Sequence, residues 1–151
     1  MAKSKTIKLK SYIDVQEEYV LSEIVKPGYL LQLASTNLVA YHATAAGEVL
    51  IPMFAQENEF LGKTVGDAYA VGDKLQVWIP TRGDQVNAVL KAGQKVVIGD
   101  NVVSNGDGTL KKTTSTASDP LTAGMIVGVA VEAVDLTASG AVDTLVAVRI
   151  K

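Results

Sequence analysis

The sequence predicts an all-β fold: a compact β-barrel or β-sandwich of short strands, with an extended N-terminal arm and at most one short helix. Three observations carry that reading. Short runs rich in Val, Ile and Leu recur along the whole chain. Several are bounded by a Gly-Asp, Asn-Gly or Pro-Gly turn. No stretch offers three turns of capped helical periodicity. Many short strands with closely spaced turn signals favour a barrel or sandwich over a layered α/β fold.

Taken in order, Thr6 to Lys10 alternates, with Ile7 and Leu9 on one face. Lys3, Lys5, Lys8 and Lys10 make this end basic, and residues 1–25 are expected to form an arm ahead of a single body spanning 26–151. Asp14 to Val25 comes nearest to a helix, with Asp14 as N-cap for Glu17, Glu18 and Leu21. After Pro27-Gly28, the runs Tyr29 to Leu33 and Leu38 to His42 flank a Ser35-Thr36-Asn37 turn and read as a hairpin. Val49 to Phe54 is a further strand, with Pro52 at an edge or bulge because it has no N–H to donate.

The clearest strand follows. Leu75, Val77 and Ile79 point one way, while Lys74, Gln76 and Trp78 point the other. The second half repeats the idiom over Val86–Leu90, Lys95–Ile98, Val102-Val103, Leu110–Thr114, Ile126–Val134 and Leu145–Lys151. Ser104 to Thr109, reading Ser-Asn-Gly-Asp-Gly-Thr, is a hairpin turn, since Asn and Gly tolerate positive φ. Gly-Asp occurs at 66–67, 72–73, 83–84, 99–100 and 106–107; the like segments Ala70 to Leu75, Lys91 to Val96 and, more loosely, Val97 to Val102 each read as a turn that launches a strand.

Composition narrows the chemistry. A chain of 151 residues without cysteine has neither a disulfide scaffold nor a thiolate nucleophile, and fits synthesis in a reducing cytoplasm. Charges interrupt the N-terminal apolar residues, so no signal-peptide stretch is present, and the longest weakly polar run, Ala123 to Val134, is too short to span a bilayer. Sixteen acidic residues against fourteen basic ones leave a net charge of −2, which favours neither nucleic acid nor an anionic membrane as partner.

Individual residues add little catalytic promise. The turn aspartates lack the spacing of a calcium loop. Glu57 and Glu59, near Glu48, read as solvated charge, and His42, the single histidine, as a hydrogen-bonding residue at a strand end. No phosphate-binding glycine loop and no Gly-x-Ser-x-Gly motif is present. Arg82-Gly83-Asp84 spells a receptor-recognition tripeptide within a β-turn. Trp78, opposite Leu75, Val77 and Ile79, is the exposed-aromatic candidate; with Phe54 and Tyr69 it could form a platform, but burial in a subunit contact suits it better.

The motifs in their order resemble a family. Lys26-Pro27-Gly28-Tyr29-Leu30-Leu31-Gln32-Leu33, His42-Ala43-Thr44-Ala45, the stretch Gly66 to Asp73, Arg82-Gly83-Asp84, Gly99-Asp100, Ser104 to Leu110 and Val127 to Asp135 together are similar to the capsid decoration, or cement, proteins of tailed bacteriophages. The similarity runs over roughly residues 26–151. It implies a β-barrel or sandwich on the outside of an icosahedral head, made in the bacterial host cytoplasm. There the protein would stabilise the shell by bridging subunits of the major capsid protein.

The resemblance also implies a homo-oligomer, with a trimer preferred to a dimer, and neither enzymatic activity nor a cofactor. Lys3, Lys5, Lys8, Lys10, Trp78 and Arg82 are the residues expected to make protein contacts. The alternative is a virion-displayed carbohydrate- or receptor-binding module using Trp78 and the 81–85 turn; a small β-hydrolase centred on His42 stands third.

Overall fold

A computed structural model describes residues 6–49, 51–114 and 121–151. The first half of the chain supplies β1 (Lys8–Lys10), β2 (Gln16–Leu21), β3 (Leu30–Ser35), β4 (Leu38–Tyr41), β5 (Met53–Ala55) and β6 (Lys74–Trp78). The second supplies β7 (Gln85–Leu90), β8 (Lys95–Val96), β9 (Asn101–Ser104), β10 (Leu110–Lys112), β11 (Ile126–Ala130), β12 (Val134–Asp135) and β13 (Thr144–Ile150). Helix among the described residues is confined to two 3-10 turns, Glu59–Leu61 and Ala123–Met125.

The strands close into two rings. The first is a barrel in the order β2-β4-β3-β5-β6, in which β2 runs antiparallel to β6 and parallel to β4. In the second, β7 meets β10, then β9, β11 and β13 follow. β13 returns to β7 along a ladder from Thr144 opposite Leu90 to Arg149 opposite Gln85. β1 lies against the start of β7, with Lys10 opposite Gln85. β8 and β12 form a separate two-stranded ribbon.

Strand alternation explains how the rings share a core. Leu31, Val39, Met53, Ala55, Leu75 and Val77 belong to the first cluster, with Leu21, Val25 and Tyr69. Their sequence neighbours Leu30, Phe54 and Trp78 take the opposite faces and pack with Val86, Ala88, Leu90, Val146, Val148 and Ile150 of the second ring. The segments 30–31, 53–55 and 77–78 are therefore buried on both sides, which is why they read as apolar runs.

Main-chain bonds stitch the rings at the same place. Leu30 N–H donates to Gly108 O at 2.8 Å, and Val89 N–H to Gly28 O at 3.2 Å. His42 joins them by side chain: its Nδ1 lies 2.8 Å from Ser104 Oγ, and both residues are buried.

Four Gly-Asp pairs make one kind of corner. In 64–67, 70–73, 81–84 and 97–100 the aspartate N–H donates to the carbonyl three residues back, at 3.0, 3.1, 3.0 and 3.1 Å. The same aspartate's carboxylate accepts that residue's N–H, at 2.9, 2.8, 2.8 and 2.9 Å. Gly72, Gly83 and Gly99 sit at φ of 87, 95 and 95°, where a side chain is strained. β6, β7 and β9 each begin on the next residue. The fifth pair differs, since Asp107 accepts from the Thr109 N–H inside the β9–β10 hairpin.

One option closes and one expectation is corrected. The stretch from Asp14 to Val25, the nearest to a helix in the sequence, holds β2 instead: Asp14 accepts from Lys8 Nζ and Gln16 Nε2, and Gln16–Leu21 finds its ladder on β6. The described part of the 1–25 arm is built into the body, because β2 closes the first barrel and β1 pairs with β7. Glu57 fixes the entry point, its Oε2 accepting the Ile7 N–H at 3.1 Å, while Asn87 N–H donates to Ile7 O at 2.8 Å.

Candidate interaction surface

The six sequence-predicted contact residues have different fates. Trp78 is fully buried in the second core cluster; its face was read correctly, but the second ring of the same chain covers it, not a subunit contact or a ligand. Lys8 is half-buried, paired with Asp14 at 2.5 Å, and its Nζ lies 5.5 Å from the Trp78 ring centroid. That pairing, with help from Gln16, holds the Asp14 carboxyl below its ordinary range. Lys3 and Lys5 lie outside the described residues. Lys10 and Arg82 are exposed, and they come together.

Asp84 brings them together. Its Oδ2 takes the Thr81 N–H and hydroxyl, and its Oδ1 accepts the Tyr12 N–H at 2.8 Å. This pulls the 11–13 loop over the corner, so that the Tyr12 ring lies beside Gly83. Tyr12 remains 65% exposed, with Lys10 Nζ 5.5 Å from its ring centroid. Asp84 itself is completely buried, so the Arg82-Gly83-Asp84 tripeptide cannot offer its carboxylate to a receptor.

Strand register extends the cluster. Gln85 stands between Lys10 of β1, which it meets just past a bulge between Lys8 and Lys10, and Arg149 of β13, which shares its face in a regular ladder. Ile150 is bonded to the same corner through Gly83 N–H and Asp84 O, both at 2.9 Å. Arg82 and Lys151 thereby line one depression of about 280 Å³, walled by Val49, Pro52, Ala123, Ile126 and Val127. The sequence reading missed Tyr12, Arg149 and Lys151. Only the outward alternation of Arg149 and Lys151 in the last strand could have flagged them.

A second concavity opens at the mouth of the first barrel. It is a groove of about 520 Å³ with Tyr19, Leu33, Ile51 and Ile79 on its walls and Glu17, His42 and Glu48 among its polar groups. His42 is already engaged by Ser104, and among the described residues no group of three His, Cys, Asp or Glu is placed to hold a metal ion. Glu57 is committed to Thr6 and Ile7. On the 3-10 turn beside it, Phe60 is fully exposed.

No family model matches this chain, and no curated protein matches it. Among solved structures it is similar to the head fiber gp8.5 N base in bacteriophage phi29, with a TM-score of 0.55 and 20% sequence identity. The alignment covers 92% of this chain and 95% of that one, so the likeness is one of fold along nearly the full length of both.

Proposed function

We propose that this chain is a structural protein of a bacteriophage virion, attached to the outer surface of the assembled head and acting by contact. The observation that carries the reading is the fold shared with a phage head fiber base across 92% of the chain. The order of turn motifs, similar to that of capsid decoration proteins, supports it from the sequence side.

In this reading the protein bridges subunits of the major capsid protein and assembles with copies of itself, a trimer ahead of a dimer. A protein that binds only the assembled lattice stabilises that lattice by mass action, and several weak contacts made together multiply by avidity. The non-enzymatic part of the proposal rests on His42. The chain's one histidine is buried against Ser104, whose hydroxyl also accepts the Gly106 N–H and has no exposure to a substrate. The receptor-module reading loses support for a similar reason, since both Trp78 and Asp84 are buried.

The test is addition of the purified protein to phage heads that lack it. Co-sedimentation and a rise in head melting temperature are expected; absence of binding at micromolar concentration overturns the proposal.

A further inference from the structure

We propose that the face built by Lys10, Tyr12, Arg82, Arg149 and Lys151 docks an acidic protein segment carrying an apolar side chain between its carboxylates. This deepens the virion reading by naming the partner's chemistry, and rests on it only for where that segment would come from.

Charge pairing across the molecule points here. Lys8, Lys74, Lys91, Lys95 and Lys112 each have a carboxylate within ion-pair distance: Asp14, Glu18, Asp107, Asp135 and Asp100. Lys10, Arg82, Arg149 and Lys151 have none among the described residues, and all four are exposed. Both arginines of the chain are in this group. Lys26, Lys63 and Lys111 also lack an ion pair among the described residues but stand apart from this group, so four of the seven cations without a carboxylate partner belong to this one face.

The acids around the face are already used. Asp84 is buried under Tyr12, Asp14 holds Lys8, and Glu132 accepts the Ala147 N–H at 2.8 Å.

The residue types select the ligand class. A guanidinium offers a planar fork that matches a carboxylate with two parallel hydrogen bonds. Arginine and tyrosine are the side chains that most often anchor protein interfaces. Lys10 and Arg149 are separated by two strand spacings, about 10 Å, a span that a short peptide bridges. The depression between Arg82 and Lys151 is walled by aliphatic side chains and takes the apolar residue between the flanking acids. Nucleic acid fits less well, because tracking a phosphate backbone calls for a longer run of cations and several stacking rings, and this face exposes one tyrosine.

The experiment uses the full chain and a capped synthetic peptide of two glutamates, a leucine and two glutamates, followed by amide chemical shifts at low and physiological ionic strength. Shifts are expected at residues 10–12, 82–83, 126–127 and 149–151, weakening as salt rises. Arg82→Ala and Arg149→Ala should each weaken binding about threefold, as partly exposed charges do, and the double variant about tenfold. Lys26→Ala and Lys111→Ala, which remove cations with no ion pair among the described residues elsewhere, should leave it unchanged. All of these positions except half-buried Lys111 are exposed, and unchanged thermal melts confirm that the variants fold.

Shifts centred on the groove at Leu33 and Ile51, equal losses in the Lys26 and Lys111 variants, or tighter binding of a short DNA duplex to the same face would each overturn the proposal. Because no phage heads are involved, its failure leaves the virion reading intact. Conversely, peptide binding with no head binding sinks the virion reading alone.

Discussion

Asp84 holds Tyr12 across 72 residues of chain, its buried Oδ1 accepting the Tyr12 N–H at 2.8 Å. The same carboxylate closes the corner that starts β7, so one side chain ties the N-terminal loop to the second ring. Asp84→Ala removes the acceptor for three donors and is expected to cost about 3 kcal/mol. Chemical denaturation measures the loss. If Asp84→Ala unfolds at the same midpoint as the parent, the corner does not hold the loop.

The corners give a paired prediction with opposite outcomes. Gly99 has φ of 95° and Gly66 lies outside the positive-φ region, although both precede the aspartate of the same motif and a β-carbon added at either would meet nothing within 4 Å. Gly99→Ala should therefore destabilise by about 1–2 kcal/mol through backbone strain alone. Gly66→Ala should change stability by less than about 0.5 kcal/mol. Thermal melts of the two variants side by side decide it, and equal effects would contradict the assignment.

Trp78 is the one tryptophan and reports directly on the shared core. Its fluorescence is expected to be blue-shifted and resistant to iodide quenching, both signatures of a fully buried ring. Trp78→Ala should cost about 3–5 kcal/mol, the range for an aromatic deleted from a core. Ready quenching in the native protein would place the ring outside that core.

Acid should weaken the fold through its turn aspartates. The Thr64 hydroxyl and N–H hold Asp67 below the ordinary carboxylate range; Lys112 and the Val97 N–H do the same for Asp100. Burial would push Asp107 up, but hydrogen bonds from Thr109, Lys91 and Asn105 outweigh it and hold it well below that range. A carboxylate whose pKa is lower folded than unfolded adds stability above its unfolded value, near 4, and loses it as pH falls through the folded value. The melting temperature should thus be level from neutrality to about pH 5 and decline below about pH 4. A flat profile down to pH 2 would show that these bonds add nothing.

Much of the fold could be read from the chain, because strands and corners are local. Gly72-Asp73 and Gly99-Asp100 were legible as strand-launching turns and Gly83-Asp84 as a β-turn, and the alternation around Trp78 gave its face correctly. What covered that face was not legible, since Val86 and Val148 arrive through long-range pairing. β2 was not legible as a strand because its first three residues are all exposed and show no alternation. Arg82 could be singled out on its own, whereas Arg149 joins it only once β13 has returned to β7.

The return of β13 to β7 also has a consequence for synthesis on the ribosome. The first ring has all its strands once β6 has emerged, but the outward faces of Leu30, Phe54 and Trp78 stay uncovered until the second ring closes. Closure waits for β13 to be translated. A nascent chain that stalls before Thr144 would present an uncovered apolar and aromatic surface, so its demand for chaperones should fall once β13 has emerged.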